Sequence, residues 1–192
     1  MIETSWDTLN QQILTCTLCP LHQGIRNKVP GQGNGRARLL LIGEGPGQEE
    51  DRQGLAFVGP AGQLLTKMLG AINLTREDVF IANAVKCRPP GNRVPLPAEV
   101  AACLPYLRAQ TALIRPQVIL LLGATALRAV IGGNSGITAA RGKWVHRKNV
   151  WILPTYHPAA LLRDPDKKRD AWIDMQMVRD KLMELTTDAE IG

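Results

Sequence analysis

The chain has no long hydrophobic run: its cleanest apolar stretches, Leu39–Ile42 and Val118–Leu122, have the length of strands. A bilayer span needs roughly 20 apolar residues, so a membrane protein is excluded. Aromatic residues are also scarce, at 4% of the 192 residues. Leu, Ile, Val and Ala make up for them, and 45% of positions are hydrophobic. That is enough for one well-buried core and little for two, so one domain over residues 1–192 is expected. The first residues, Met1-Ile2-Glu3-Thr4-Ser5-Trp6-Asp7, carry neither a basic leader nor an apolar segment, which points to the cytosol. Acidic residues are outnumbered, 17 Asp and Glu against 23 Lys and Arg, for a formal net charge of +6. Such an excess suits a polyanionic partner without requiring one.

Cysteine is limited to four residues, Cys16, Cys19, Cys87 and Cys103. In a reducing compartment, four cysteines that include a Cys-x-x-Cys pair read as metal ligands before they read as disulfides. Cys16 and Cys19 lie in a loop after a short amphipathic helix, Cys87 follows a strand, and Cys103 lies in the next helical segment. Zinc and a [4Fe–4S] cluster both accept four thiolates from two separate segments, and spacing does not choose between them. With four protein ligands no coordination position is left open, so the centre is expected to be structural.

Apolar strand-like runs alternate with helical patterns along the chain. Arg38–Ile42, Val79–Val85, Gln117–Leu122 and Asn149–Leu153 read as buried parallel strands. Helical periodicity marks Ala61–Ala71, Pro97–Ile114, Ala124–Ile131 and Asp166–Leu185, the last with Trp172, Met175, Val178, Leu182 and Leu185 on one face. The pattern predicts an α/β fold around a mostly parallel sheet of about four strands with right-handed crossovers. Ligands of such sheets bind beyond the carboxyl ends of the strands. The segments there are Gly43-Glu44-Gly45-Pro46-Gly47, Asn83 with Lys86-Cys87-Arg88-Pro89-Pro90, Gly123-Ala124-Thr125 and Pro154-Thr155-Tyr156-His157-Pro158. They should share one rim.

Each of these residues also has an ordinary structural explanation. The glycines of Gly43–Gly47 suit a tight turn or a close backbone approach to a ligand, and they match neither a P-loop nor a dinucleotide fingerprint. Glu49-Glu50-Asp51 reads as a solvated acidic loop. Phe57 suits the core, or a stacking platform for a base. Asn83, near a strand end, carries a donor and an acceptor and can read a base edge or tie two loops. His157 follows the last strand on the rim of Glu44 and Asn83, which favours a catalytic role; His22 and His146 have no such neighbours. Leu161-Leu162-Arg163 is a helix end, or an apolar wedge with a phosphate contact.

Taken in order, Cys16-x-x-Cys19, Gly43–Gly47 with Glu50-Asp51, Phe57-Val58-Gly59 followed by Ala61-Gly62, Asn83 to Arg93, Cys103 and Thr155–Pro158 resemble the family 4 uracil-DNA glycosylases. The resemblance runs from about Cys16 to about Trp172. It implies a three-layer α/β/α sandwich, a [4Fe–4S] cluster on Cys16, Cys19, Cys87 and Cys103, and excision of uracil from single- or double-stranded DNA to start base excision repair. Phe57 would stack on the flipped base, Asn83 would pair with its N3–H and O4, Glu50 would sit near C5 and exclude thymine, and His157 would hydrogen-bond O2. Related glycosylases carry an aspartate where this chain has Gly45, which leaves Glu44 as the nearest group able to place the water. Leu162 and Arg163 would act as wedge and clamp, and Lys86, Arg88 and Arg93 as phosphate contacts. Cys87–Pro95 is compact and free of histidine, unlike the insertion of the relatives that trap uracil covalently, so ordinary turnover is expected. The implied partners are uracil-containing DNA and the repair enzymes that follow, with the protein acting as a monomer. A relative with broader deaminated-base preference, and a non-catalytic DNA-binding module held by a metal centre, are the competing readings.

Overall fold

The computed structural model describes residues 5–191. Six strands form one sheet in the order β1 (Gln32–Gly33), β3 (Val79–Asn83), β2 (Leu39–Gly43), β4 (Val118–Leu122), β6 (Val150–Thr155), β5 (Val145–Arg147). The four strands expected from the sequence are its parallel centre, paired β3 to β2, β2 to β4 and β4 to β6. The expected four-stranded sheet is corrected to six by two antiparallel edges, β1 on β3 and β5 on β6. Both are short, at two and three residues, and neither carries the apolar run that marks the central strands.

The central strands are hydrophobic on both faces because helices cover both. On one face Leu39, Leu41, Val79, Ile81, Val118, Leu120 and Leu153 pack on Leu65 and Leu69 of α3 (Pro60–Gly70) and on Met175 and Val178 of α8 (Lys168–Ile191). On the other, Leu40, Ile42, Phe80, Ala82, Ile119 and Leu121 pack on Leu107 and Ile114 of α4 (Pro97–Ile114) and Ala126 of α5 (Ala124–Val130). The first helix, α1 (Trp6–Thr15), is capped by Ser5, whose hydroxyl accepts from the Thr8 amide at 3.2 Å. Its Trp6 stacks on Phe80 of the second face with ring centroids 5.1 Å apart. The result is the expected three-layer arrangement. Trp172 departs from the expected apolar face of α8 and is 39% exposed.

Among the described residues there are three further short α-helices, α2 (Gln48–Gln53), α6 (Ile137–Ala140) and α7 (Pro158–Arg163). The acidic run expected as a solvated loop is instead α2, with Glu50 and Asp51 buried. The Asp51 carboxylate accepts from the amides of Arg26 at 2.9 Å and Asn27 at 3.2 Å, which ties the N-terminal segment to α2. At the other side of the sheet, wholly buried Asp174 accepts from Arg141 Nη2 and from the Thr155 hydroxyl, each at 2.5 Å. That network fixes the end of β6, from which Tyr156 and His157 continue.

Candidate active site

The four parallel strands end at one level, and the segments that follow them line a single cleft of about 510 Å³, within the range of small-ligand sites. Glu44, Gly45 and Glu50 come from the β2 side, Asn83 and Arg93 from β3, Gly123 from β4, and His157 and Arg163 from β6 and α7. Phe57 closes the wall. The rim inferred from strand order is therefore one site.

At its base, Gly43 and Asn83 are register partners across β2 and β3. A β-carbon on Gly43 would lie 2.5 Å from both Asn83 Oδ1 and Phe57 Cζ, so only glycine lets amide and ring approach this closely. Asn83 is 1% exposed, and its Oδ1 is a buried acceptor without a protein partner. Leaving a buried acceptor unpaired costs about 1–3 kcal/mol. A ligand that brings an N–H group to this atom recovers that cost.

His157 stands beside the Phe57 ring, with centroids 5.6 Å apart and planes inclined by 33°. Its Nδ1 accepts from the Ala159 amide at 3.1 Å, at the start of α7, so the neutral ring carries its proton on Nε2. Burial, with the positive charge of Arg163 beside it, pushes the His157 pKa down to about 4. Gly123, at φ +91°, admits this side chain: a β-carbon there would lie 3.0 Å from His157 Cβ. The site thus presents a neutral N–H donor next to an unpaired acceptor and an aromatic ring.

The Glu44 carboxylate is held from below by the Thr125 hydroxyl, which donates to Oε2. Thr125, buried on α5, was seen in the sequence only as part of a rim segment; no spacing marks it as a partner of Glu44. Gly45 packs on Val85, where a β-carbon would fall 2.7 Å from Cγ2. An aspartate at that position would need Val85 to move.

Glu50 lines the cleft, and both its oxygens are engaged by backbone amides. Oε1 accepts from Val58 at 2.9 Å and Gly59 at 2.8 Å, and Oε2 from Gly47 at 3.1 Å. Arg76, which the sequence reading did not single out, donates to the carbonyls of Ala56 at 2.6 Å and Phe57 at 3.0 Å. Phe57 is both a core and a cleft residue, 5% exposed.

One expected phosphate contact is overturned. Lys86 is 2% exposed, and its Nζ donates to the Asn83 carbonyl at 2.9 Å and to Gln110 Oε1 at 2.6 Å. Burial lowers its pKa to about 8. It supports the backbone of Asn83 from inside and cannot reach DNA. Arg88 donates to Asn92 Oδ1 at 2.7 Å, and Arg93 pairs with buried Glu99 at 2.7 Å while bordering the cleft. Exposed Arg163 borders the cleft, and Leu162, its neighbour in α7, is 47% exposed without lining it.

On the far side of Lys86, all four cysteines border one apolar hollow with Ile13, Leu18, Leu21, Val85 and Tyr106. Their thiols are free. Among the described residues, no compact group of three or more His, Cys, Asp or Glu surrounds a point as a single metal ion requires. Burial, reinforced by the neighbouring sulfurs, pushes the Cys87 thiol up to about 12, and burial raises Cys103 as well. The two pairs, Cys16 with Cys19 and Cys87 with Cys103, bring four sulfur donors to this one hollow. The donor set is that of a soft metal or an iron–sulfur cluster.

Residues 30–176 match the model of the uracil DNA glycosylase superfamily, and the chain belongs to that superfamily. Within it, the chain is similar to type-4 uracil-DNA glycosylases. The one from Thermotoga maritima is 48% identical, over 84% of this chain and 85% of its own length. Those from Archaeoglobus fulgidus and Sulfurisphaera tokodaii are 42% and 41% identical, over 91% and 92% of this chain and 92% and 84% of theirs.

The His157 environment yields a pH prediction. Because its pKa falls from an ordinary 6.5 to about 4 on folding, its contribution to stability is complete above pH 6.5 and is lost as pH falls through about 4. In an NMR titration His157 is expected to stay neutral at pH 5 and to titrate near 4, and R163A should raise that value by removing the adjacent charge. Titration near 6.5 in the wild-type protein would contradict the assignment.

Proposed function

We propose that the protein is a uracil-DNA glycosylase that binds a flipped uracil in the rim cleft and hydrolyses its N-glycosidic bond. The observation that carries this reading is the unpaired, buried Oδ1 of Asn83, an acceptor placed for the N3–H of uracil, with the amide N–H₂ left to donate to O4. Cytosine has an acceptor at N3 and a donor at C4, so it leaves both groups mismatched and is rejected. Phe57 stacks on the base. Glu50, immobilised by three amides, forms the wall beside C5 and leaves no room for the methyl group of thymine.

As the C1′–N1 bond breaks, its electron pair passes to the uracil, and negative charge accumulates on O2. The neutral His157 donates its Nε2–H to that oxygen, which stabilises the leaving group without a full positive charge in the wall. Water adds to the cationic C1′, positioned by Glu44, whose carboxylate takes up the proton released. Hydrolysis leaves free uracil and an abasic site, the substrate for the repair enzymes that follow. Extrusion of the base costs roughly a few kcal/mol, least in single strands and mismatches. Leu162 fills the space in the stack, and Arg163, Arg93 and Arg88 hold phosphates. Lys86 is assigned no part in DNA contact.

Cys16, Cys19, Cys87 and Cys103 would hold a [4Fe–4S] cluster, which supplies a cross-link between the N-terminal segment and the β3–α4 region. The donor set, four sulfurs bordering one apolar hollow, supports this choice.

Three outcomes test the reading. Wild-type protein incubated with uracil-containing single-stranded DNA and then alkali should give strand breaks at uracil, whereas N83D should lose most uracil excision and gain cleavage at cytosine. DNA binding without breaks would leave a binding module, and unchanged selectivity in N83D would remove Asn83 from base reading. Protein prepared anaerobically should be brown, absorb near about 400 nm and contain iron; a colourless protein with one zinc would contradict the cluster.

A further inference from the structure

Among the described residues Phe57 is the one aromatic residue in the left-handed backbone region, at φ +53°. The other non-glycine residues there are Asn, Arg and Lys. A bulky L-residue enters this region at a cost, and a single such residue persists only where its surroundings over-determine it. Here two opposite charges grip the same turn from its two sides. Half-buried Arg76 sends Nη2 to the Ala56 carbonyl at 2.6 Å and Nη1 to the Phe57 carbonyl at 3.0 Å, and is itself steadied by Thr66 at 3.3 Å. Glu50 takes the next two amides, Val58 and Gly59, on one oxygen. The Phe57 carbonyl also fills the space a side chain would need at position 62, since a β-carbon on Gly62 would lie 1.8 Å from it.

We infer that Arg76 is a positioning residue for the base: with Glu50 it holds Phe57 in the left-handed conformation that turns the ring into the cleft. The inference deepens the proposed function and rests on Phe57 being the platform on which the base stacks. Without Arg76 the two carbonyls lose their common partner, φ of Phe57 is free to relax to negative values, and the ring swings away from the base. Arg76 itself touches no substrate, so its whole effect must pass through Phe57.

That dependence gives a test that a general structural role would not pass. R76M should lower kcat/KM on uracil-containing DNA about tenfold or more and weaken inhibition by free uracil by a similar factor. Affinity for DNA with an abasic site, which offers no base to stack, should stay unchanged. In an F57A background R76M should have no further effect, because the residue it positions is gone. R76K, which can reach one carbonyl, should fall between wild type and R76M, and it carries the same comparisons should R76M fail to fold. An F57A protein with full activity would sink the platform reading and this inference with it. Impaired F57A with fully active R76M, additive losses in the double variant, or equal loss of affinity for abasic and uracil-containing DNA would each overturn the role of Arg76 alone.

Discussion

The parallel register of the central sheet is the constraint on which the site depends. Leu39 to Gly43 run alongside Val79 to Asn83 one for one, so that the last residue of β2 faces the last residue of β3. A glycine in the first place and an asparagine in the second then put a primary amide at the bottom of the rim, against an aromatic ring brought over by the segment after α2. A slip of one residue would turn Asn83 to the other face of the sheet. The burial of five consecutive residues in both β2 and β3, with a layer of helices on each side, makes that slip costly.

The chemistry is arranged as unequal satisfaction of polar groups. Around the cleft, Glu50, Arg76, Lys86 and Asp174 are each engaged by two or more partners and act as fixed supports. Among the described residues, Asn83 Oδ1 is the buried side-chain atom left without one. Supports without spare capacity hold the wall rigid, and the single unpaired acceptor leaves the recognition energy to the ligand. His157 follows the same logic on the electrostatic side: it is kept neutral, with one nitrogen committed to the backbone and the other free to donate. Preorganised donors of this kind need no rearrangement when charge develops.

Much of this was legible in the residues. The four central strands and their rim could be read because Leu, Ile and Val cluster in runs of strand length that end in Gly43, Asn83, Gly123 and Thr155. Glu44, Asn83 and His157 each follow or border a strand end in the sequence, and they meet Phe57 in one cleft. The features without a local signal depend on tertiary contact. The edge strands contain Gly33 and polar residues such as His146, and gain their strand character only from a neighbour. Glu50 and Asp51 look solvated in a run of three acids until the amides of distant segments reach them. Lys86, in a segment rich in Arg and Pro, carries every sign of a surface cation, yet its ammonium finds a carbonyl and Gln110, 24 residues away, inside the fold. Thr125 and Arg76 have no local signature at all, since their partners lie 81 and about 20 residues distant.

The proposed reading of the base by Asn83 depends on an acceptor that the fold leaves unpaired. The most direct measurement follows the Asn83 side-chain amide by NMR while free uracil, then free cytosine, is added to the wild-type protein. A saturable shift of that resonance is expected with uracil and none with cytosine at the same concentrations. Equal shifts with both bases, or no shift with uracil in a preparation that excises it from DNA, would contradict that reading.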